Sequence, residues 1–106
     1  EFEGILGLAY PELANRYDPI FDTVMSQGLL GKNQFAFYFR TIHDHQSTII
    51  FGEPDPRYYK GDILWVPVVR KMYWEIEMDD ILLDNSSRDL CNSDEAETRC
   101  RAVLDT

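Results

Sequence analysis

The sequence lacks any apolar run approaching the ~20 residues that a membrane-spanning helix needs, so no such segment is readable in it. It also lacks a basic stretch followed by an apolar one, so no signal peptide is visible within these residues. Basic charge is scarce: 10 lysines and arginines stand against 19 aspartates and glutamates, for a net charge of −9. A field of that sign repels phosphate backbones and excludes nucleic acid as a natural partner. Cysteine is scarce too. Cys91 and Cys100 are too few for a closed structural zinc site. The two histidines, His43 and His45, alternate along the chain and so share a face. With no third ligand in sight they read as an exposed polar hairpin tip, and neither metal nor cofactor is expected. Internal repeats and low-complexity tracts are absent as well.

What is present is an ordinary globular composition, 44% apolar and 27% charged over 106 residues, enough for one domain with a modest core. The acidic surplus reads either as a solvated surface or as an adaptation to low pH, where many carboxylates become neutral. In the segment CNSDEAETRC two thiols flank eight residues. A disulfide between Cys91 and Cys100 is favoured over free thiols and implies an oxidising compartment. Asn85-Ser86-Ser87 is a glycosylation sequon, with Asn85 as the candidate acceptor, and points the same way.

Asp18-Pro19 opens the clearest helix, since Asp suits the cap and Pro the first helical position. Ile20 with Val24 and Phe21 with Met25 are spaced to share one face, and Gly28 suits the left-handed stop. Phe35 to Phe39 and Ser47 to Phe51 read as a hairpin with apolar residues on both faces. Leu64 to Val69 reads as a strand in which Pro67 marks an edge or a bulge. Trp74, Ile76 and Met78 alternate with Glu75, Glu77 and Asp79, the pattern of a half-buried strand. The phase slips at Ile81 and Leu83, which predicts a bulge near Asp80.

Five blocks in order carry a resemblance. These are EFEGILGLAYP, PIFDTVMSQGLLGKNQFAFYF, IIFGEPDPRYYKGDILWVPV, YWEIEMDDILL and CRAVLDT. Together they resemble the pepsin-like aspartic proteases, whose corresponding segments include FDGILGLAYP, FGG-x-D-xx-YY-x-G-x-L-x-WVPV and C-x-A-I-V-D-T-G. The chain departs from that pattern at Glu3 (usually Asp), at Glu53 (usually Gly) and in a cysteine loop longer than the family's short C-x3-C. The chain opens on Glu1 in an apolar run and closes on Asp105-Thr106 straight after a β-like run, so both ends read as cut.

The resemblance implies a mainly β fold, a fragment of the bilobal pepsin-like acid protease with one or two short helices. Residues 1–56 would belong to the end of the N-terminal lobe and the inter-lobe sheet. Residues 57–106 would begin the C-terminal lobe and end at the second catalytic Asp-Thr. In the family an aspartate from each lobe shares one proton across one water. Like charges about 3 Å apart cannot both ionise cheaply, an effect for which this family is the standard example. One carboxylate takes a proton from the attacking water while the other protonates the scissile carbonyl.

On this resemblance Asp105 is one of the two acids and Thr106 supports it by a hydrogen bond to the opposite lobe. Phe2 and Ile5 match positions lining the pocket before the scissile bond; Tyr73 and Val103 match the pocket after it. Plain core packing is the alternative for all four. The implied activity is peptide-bond hydrolysis between large apolar residues at acid pH by the full-length protein, with the 106-residue segment inactive alone. The implied partners are a peptide or protein substrate, the protein's own propeptide and the rest of the two lobes. The implied location is the secretory pathway, secreted or lysosomal/vacuolar, as a zymogen. Two other readings stand beside it: a non-catalytic homologue of the same fold that binds peptides or a protein, and a small independent acidic β domain.

Overall fold

The computed structural model describes residues 3–41, 47–91 and 99–105. Among the described residues the fold is mainly β, with one α-helix, two single-turn 3-10 helices and strands arranged in three small sheets. It divides into two units. One is Ile20–Leu64, and the other holds the described residues up to Pro19 together with those from Trp65 onward.

In the unit Ile20–Leu64, helix α1 (Ile20–Ser26) begins directly after Pro19. It ends where Gly28 takes a φ of +67°, with its amide donating to Met25 O at 3.0 Å. A left-handed residue there costs glycine nothing and satisfies a carbonyl of the last turn. Strands β1 (Phe35–Tyr38) and β2 (Thr48–Phe51) pair antiparallel with Phe35 opposite Phe51. The expected hairpin therefore forms, while His43 and His45 lie outside the described residues.

The helix covers one face of this pair through a single ring. Phe21 lies 5.3 Å from Phe35, edge-on, and 5.9 Å from Phe51, stacked. The other face receives Tyr58, whose ring lies 4.9 Å from Tyr38. Tyr58 belongs to a 3-10 turn (Pro56–Tyr58) capped by Asp55, whose carboxylate accepts from the Arg57 amide at 2.9 Å. The Arg57 guanidinium holds the Asp55 carboxyl below its ordinary range, chiefly by hydrogen bonding. The sequence pattern paired Ile20 with Val24 on one face, but Ile20 is 63% exposed. Phe21, Val24 and Met25 are the half-buried residues of the helix.

In the other unit, β3 (Val68–Lys71), β4 (Trp74–Glu77) and β7 (Arg101–Val103) form an antiparallel sheet with β4 in the centre. The register shifts between Val68 and Arg70. The bulge thus sits at Val69, two residues after Pro67, on an edge strand, as proline's missing donor favours. No bulge forms near Asp80. The strand ends at Glu77 instead, and the phase slip marks a new hairpin of β5 (Leu82–Leu83) and β6 (Ser86–Ser87). Its two-residue turn, Asp84-Asn85, has φ of +52° and +58°. Two positive φ values match the twist of the flanking strands, and Asp and Asn tolerate them better than most side chains.

Little of either unit is sealed from water. Among the described residues Cys91 is the one buried apolar side chain and Glu75 the one buried charged side chain. Replacing Phe21 by alanine should therefore cost about 2 kcal/mol, a half-buried fraction of the usual Phe→Ala loss. Ile20→Ala should stay within about 0.5 kcal/mol. Urea midpoints of the two variants in the full-length protein check this, and equal losses would contradict the packing described.

Candidate functional site

The site is assembled around the end of β7. Glu75 lies opposite Val103, and beyond that pair the Leu104 amide donates to Trp74 O at 3.0 Å. The same register carried one step further brings Tyr73 and Asp105 to one end of the sheet. Tyr73 stands in the tight turn between β3 and β4, where Lys71 pairs with Trp74. Asp105 follows β7 with its side chain exposed.

The segment that precedes Pro11 is tied to the same end of this sheet. The Tyr10 amide donates to Met72 O at 3.1 Å, and the Tyr10 ring lies 4.6 Å from that of Trp74. The indole Nε1–H donates to Leu8 O at 2.9 Å. Trp74 thus contacts the N-terminal segment with its side chain and the strand leading to Asp105 with its backbone. Its ring supplies apolar area while its one donor finds a carbonyl, which is how buried tryptophans are normally satisfied.

One face of the sheet is charged. Arg70, directly opposite Glu75, bonds Glu75 Oε2 through Nε at 2.8 Å and through a terminal nitrogen at 2.7 Å. Arg101 reaches Glu75 Oε1 at 3.0 Å from β7. Glu77, two residues along, pairs with Arg99. Hydrogen bonds from Arg101 first, then from Arg70, hold the Glu75 carboxyl below its ordinary value against the opposing push of burial.

Two further features flank β7. Cys91 and Cys100 are joined as a disulfide with Cα atoms 5.0 Å apart, and Cys100 O accepts from the Met78 amide at 2.9 Å. The covalent link therefore meets the chain just before β7 begins. The hydroxyl of Ser87 donates to the Asp80 carboxylate, and Ser87 Oγ accepts from the Asp89 amide at 3.0 Å. That hydroxyl comes first among the causes that lower the Asp80 pKa, followed by backbone amides of Ile81, Leu90 and Asp89. Asn85 occupies the exposed tip of the β5–β6 hairpin.

Of the residues singled out in the sequence, Phe2 and Thr106 lie outside the described residues. Ile5 is 87% exposed, Tyr73 48% and Val103 45%. Tyr73, Val103 and Asp105 share one sheet. Ile5 lies three residues before Leu8, whose carbonyl is bound by Trp74. No group of three or more His, Cys, Asp or Glu suited to a metal occurs among the described residues. Sequence reasoning missed Trp74 and Glu75 as organising residues. The signal for Glu75 was available: a tight turn at Met72-Tyr73 sets Arg70 across from it.

The eukaryotic aspartyl protease family model matches residues 1–106. Pepsin F of Oryctolagus cuniculus is 40% identical over 106 residues, covering 99% of this chain and 26% of the relative. The pregnancy-associated glycoprotein of Equus caballus is 42% identical over 106 residues, with the same coverage. Cathepsin D of Gallus gallus is 39% identical over 109 residues, covering 100% of this chain and 26% of that protein. The chain spans about a quarter of the length of these curated relatives.

Trp74→Phe keeps most of the ring but leaves the Leu8 carbonyl without its donor. The expected loss is about 1 kcal/mol, with faster hydrogen exchange at the Tyr10 amide. Unchanged stability and exchange would show that this bond does not anchor the N-terminal segment.

Proposed function

The chain belongs to the eukaryotic aspartyl protease family, and we propose that it forms the middle part of an aspartic endopeptidase that cuts peptide bonds between large apolar residues in acid. The observation that carries this reading is a family match that spans residues 1–106, Asp105 and Thr106 included. Asp105 is one of two aspartates that activate a water, and its partner belongs to the preceding lobe. Residues 1–56 complete the first lobe and the sheet between lobes; residues 57–106 begin the second. Thr106 supports the acid by bonding across to the other loop.

Phe2 and Ile5 line the pocket before the cut, Tyr73 and Val103 the pocket after it. The remaining parts of the two lobes cover the apolar side chains left open here, such as Leu64 and Leu104. The disulfide supports maturation in an oxidising secretory compartment, with delivery outside the cell or to a lysosome or vacuole. No helix among the described residues is long and apolar enough to cross a membrane. The protein is made as a zymogen held by its own propeptide, and Asn85, on an exposed hairpin tip, carries the glycan.

In the full-length protein, turnover of an apolar peptide should follow a bell in the acid range, reporting two apparent pKa values that belong to the pair. Asp105→Asn removes one half of the shared-proton pair. Cleavage should fall by at least about a thousandfold, a loss on the scale seen when a member of a catalytic unit is removed, while a statine-type inhibitor still binds. The isolated 106-residue segment should cut nothing at any pH. Peptide binding by the full-length protein without cleavage would mark a non-catalytic homologue and overturn the proposal.

A further inference from the structure

Glu75 occupies the central strand of its sheet with a side chain only 3% exposed. A carboxylate in such a place is tolerated only when it is paired. Here both oxygens are paired, one with each edge strand: Oε2 with Arg70 of β3 and Oε1 with Arg101 of β7. The charged groups facing it are these two arginines and, along its own strand, Glu77, which is itself engaged by Arg99. Val103 stands directly opposite on β7. Arg101 precedes Asp105 by four residues; Arg101–Val103 pair with β4, and the Leu104 amide donates to Trp74 O one residue before Asp105.

Taking Asp105 as catalytic, as proposed above, we infer that Glu75 is a positioning residue for it: the carboxylate holds β7 in register through Arg101, and protonation in strong acid releases that hold. A displacement of about 1 Å at a reacting group can cost on the order of a hundredfold in rate, so a partial loosening of the strand that delivers Asp105 is kinetically visible. The hydrogen bonds from Arg101 and Arg70 keep the Glu75 carboxyl ionised below its ordinary value of 4.5. Because the folded value is the lower one, the hold is complete above the ordinary value and fades as pH falls through the folded one. The clamp thus survives mild acid and opens in strong acid.

Glu75→Gln in the full-length protein mimics the protonated state with the same shape. The ratio of wild-type to variant kcat, with an apolar peptide, cancels the titration of the catalytic pair. It should be about tenfold near pH 5.5 and shrink toward one as pH falls through strong acid, with KM changed less than about twofold. A merely structural role would lower thermal stability and leave the kcat ratio flat with pH. Should Glu75→Gln fail to fold, Arg101→Lys should show the same convergence in acid, and Arg70→Gln a smaller effect, since Arg70 lies on the far edge strand. A flat or unit ratio in whichever variant folds overturns the positioning role. Asp105→Asn separates the two readings. If it is inactive while the ratios are flat, only the role of Glu75 fails; if it retains wild-type turnover, the assignment of Asp105 fails and the role of Glu75 falls with it.

Discussion

The side chain of Trp74 and its backbone oxygen face different demands, and the unit that carries Asp105 depends on their being met together. The ring lies against Tyr10 and its Nε1–H reaches Leu8 O, while the backbone oxygen accepts from Leu104. Removing a wet carbonyl from water is favourable only when a donor replaces the water, so the indole fixes the depth and angle at which residues 8–10 run. The backbone bond fixes the strand on the other side. A chain segment early in the sequence and one at its end are thereby set against the same short strand.

The charged face of that sheet works by a different physics. Exposed ion pairs such as Glu77–Arg99 contribute little stability, because water and salt screen them. Glu75 differs because it is buried and shared between two arginines. Its value lies in specificity: any slip of β7 would leave the buried Glu75 Oε1 without its partner. A chain with a net charge of −9 nevertheless commits three of its 10 basic residues, Arg70, Arg99 and Arg101, to this one face. They hold the strand that precedes Asp105.

Much of the local structure was legible because local rules governed it. The Asp-Pro start and the glycine stop bracket α1, and the aromatic run at Phe35 pairs with Thr48–Phe51 as its period suggests. Misreadings arose where two elements compete for one pattern. The odd-even slip at Ile81 looked like a bulge within one strand, whereas Asp84-Asn85 with positive φ makes a separate hairpin. The bulge fell at Val69 because Pro67 leaves the start of β3 short of a donor. Alternation placed Glu75 on the polar face of β4, and that is where it lies. Its ion pairs come from arginines on both neighbouring strands, which no single-strand pattern contains.

By itself the sequence determined the family, through five ordered blocks, and the short elements whose caps, turns and period are encoded within a few residues. It also determined which residue types fill those blocks, the Asp105-Thr106 pair of CRAVLDT among them. Only the tertiary structure decided that Trp74 joins Leu8 to Leu104, that Glu75 is shared by Arg70 and Arg101, and that Tyr73 and Asp105 leave the sheet at the same end. Those relations link residues as many as 66 positions apart. Strand register and burial, which create them, are properties of several segments at once, and periodicity within any one segment carries no record of them.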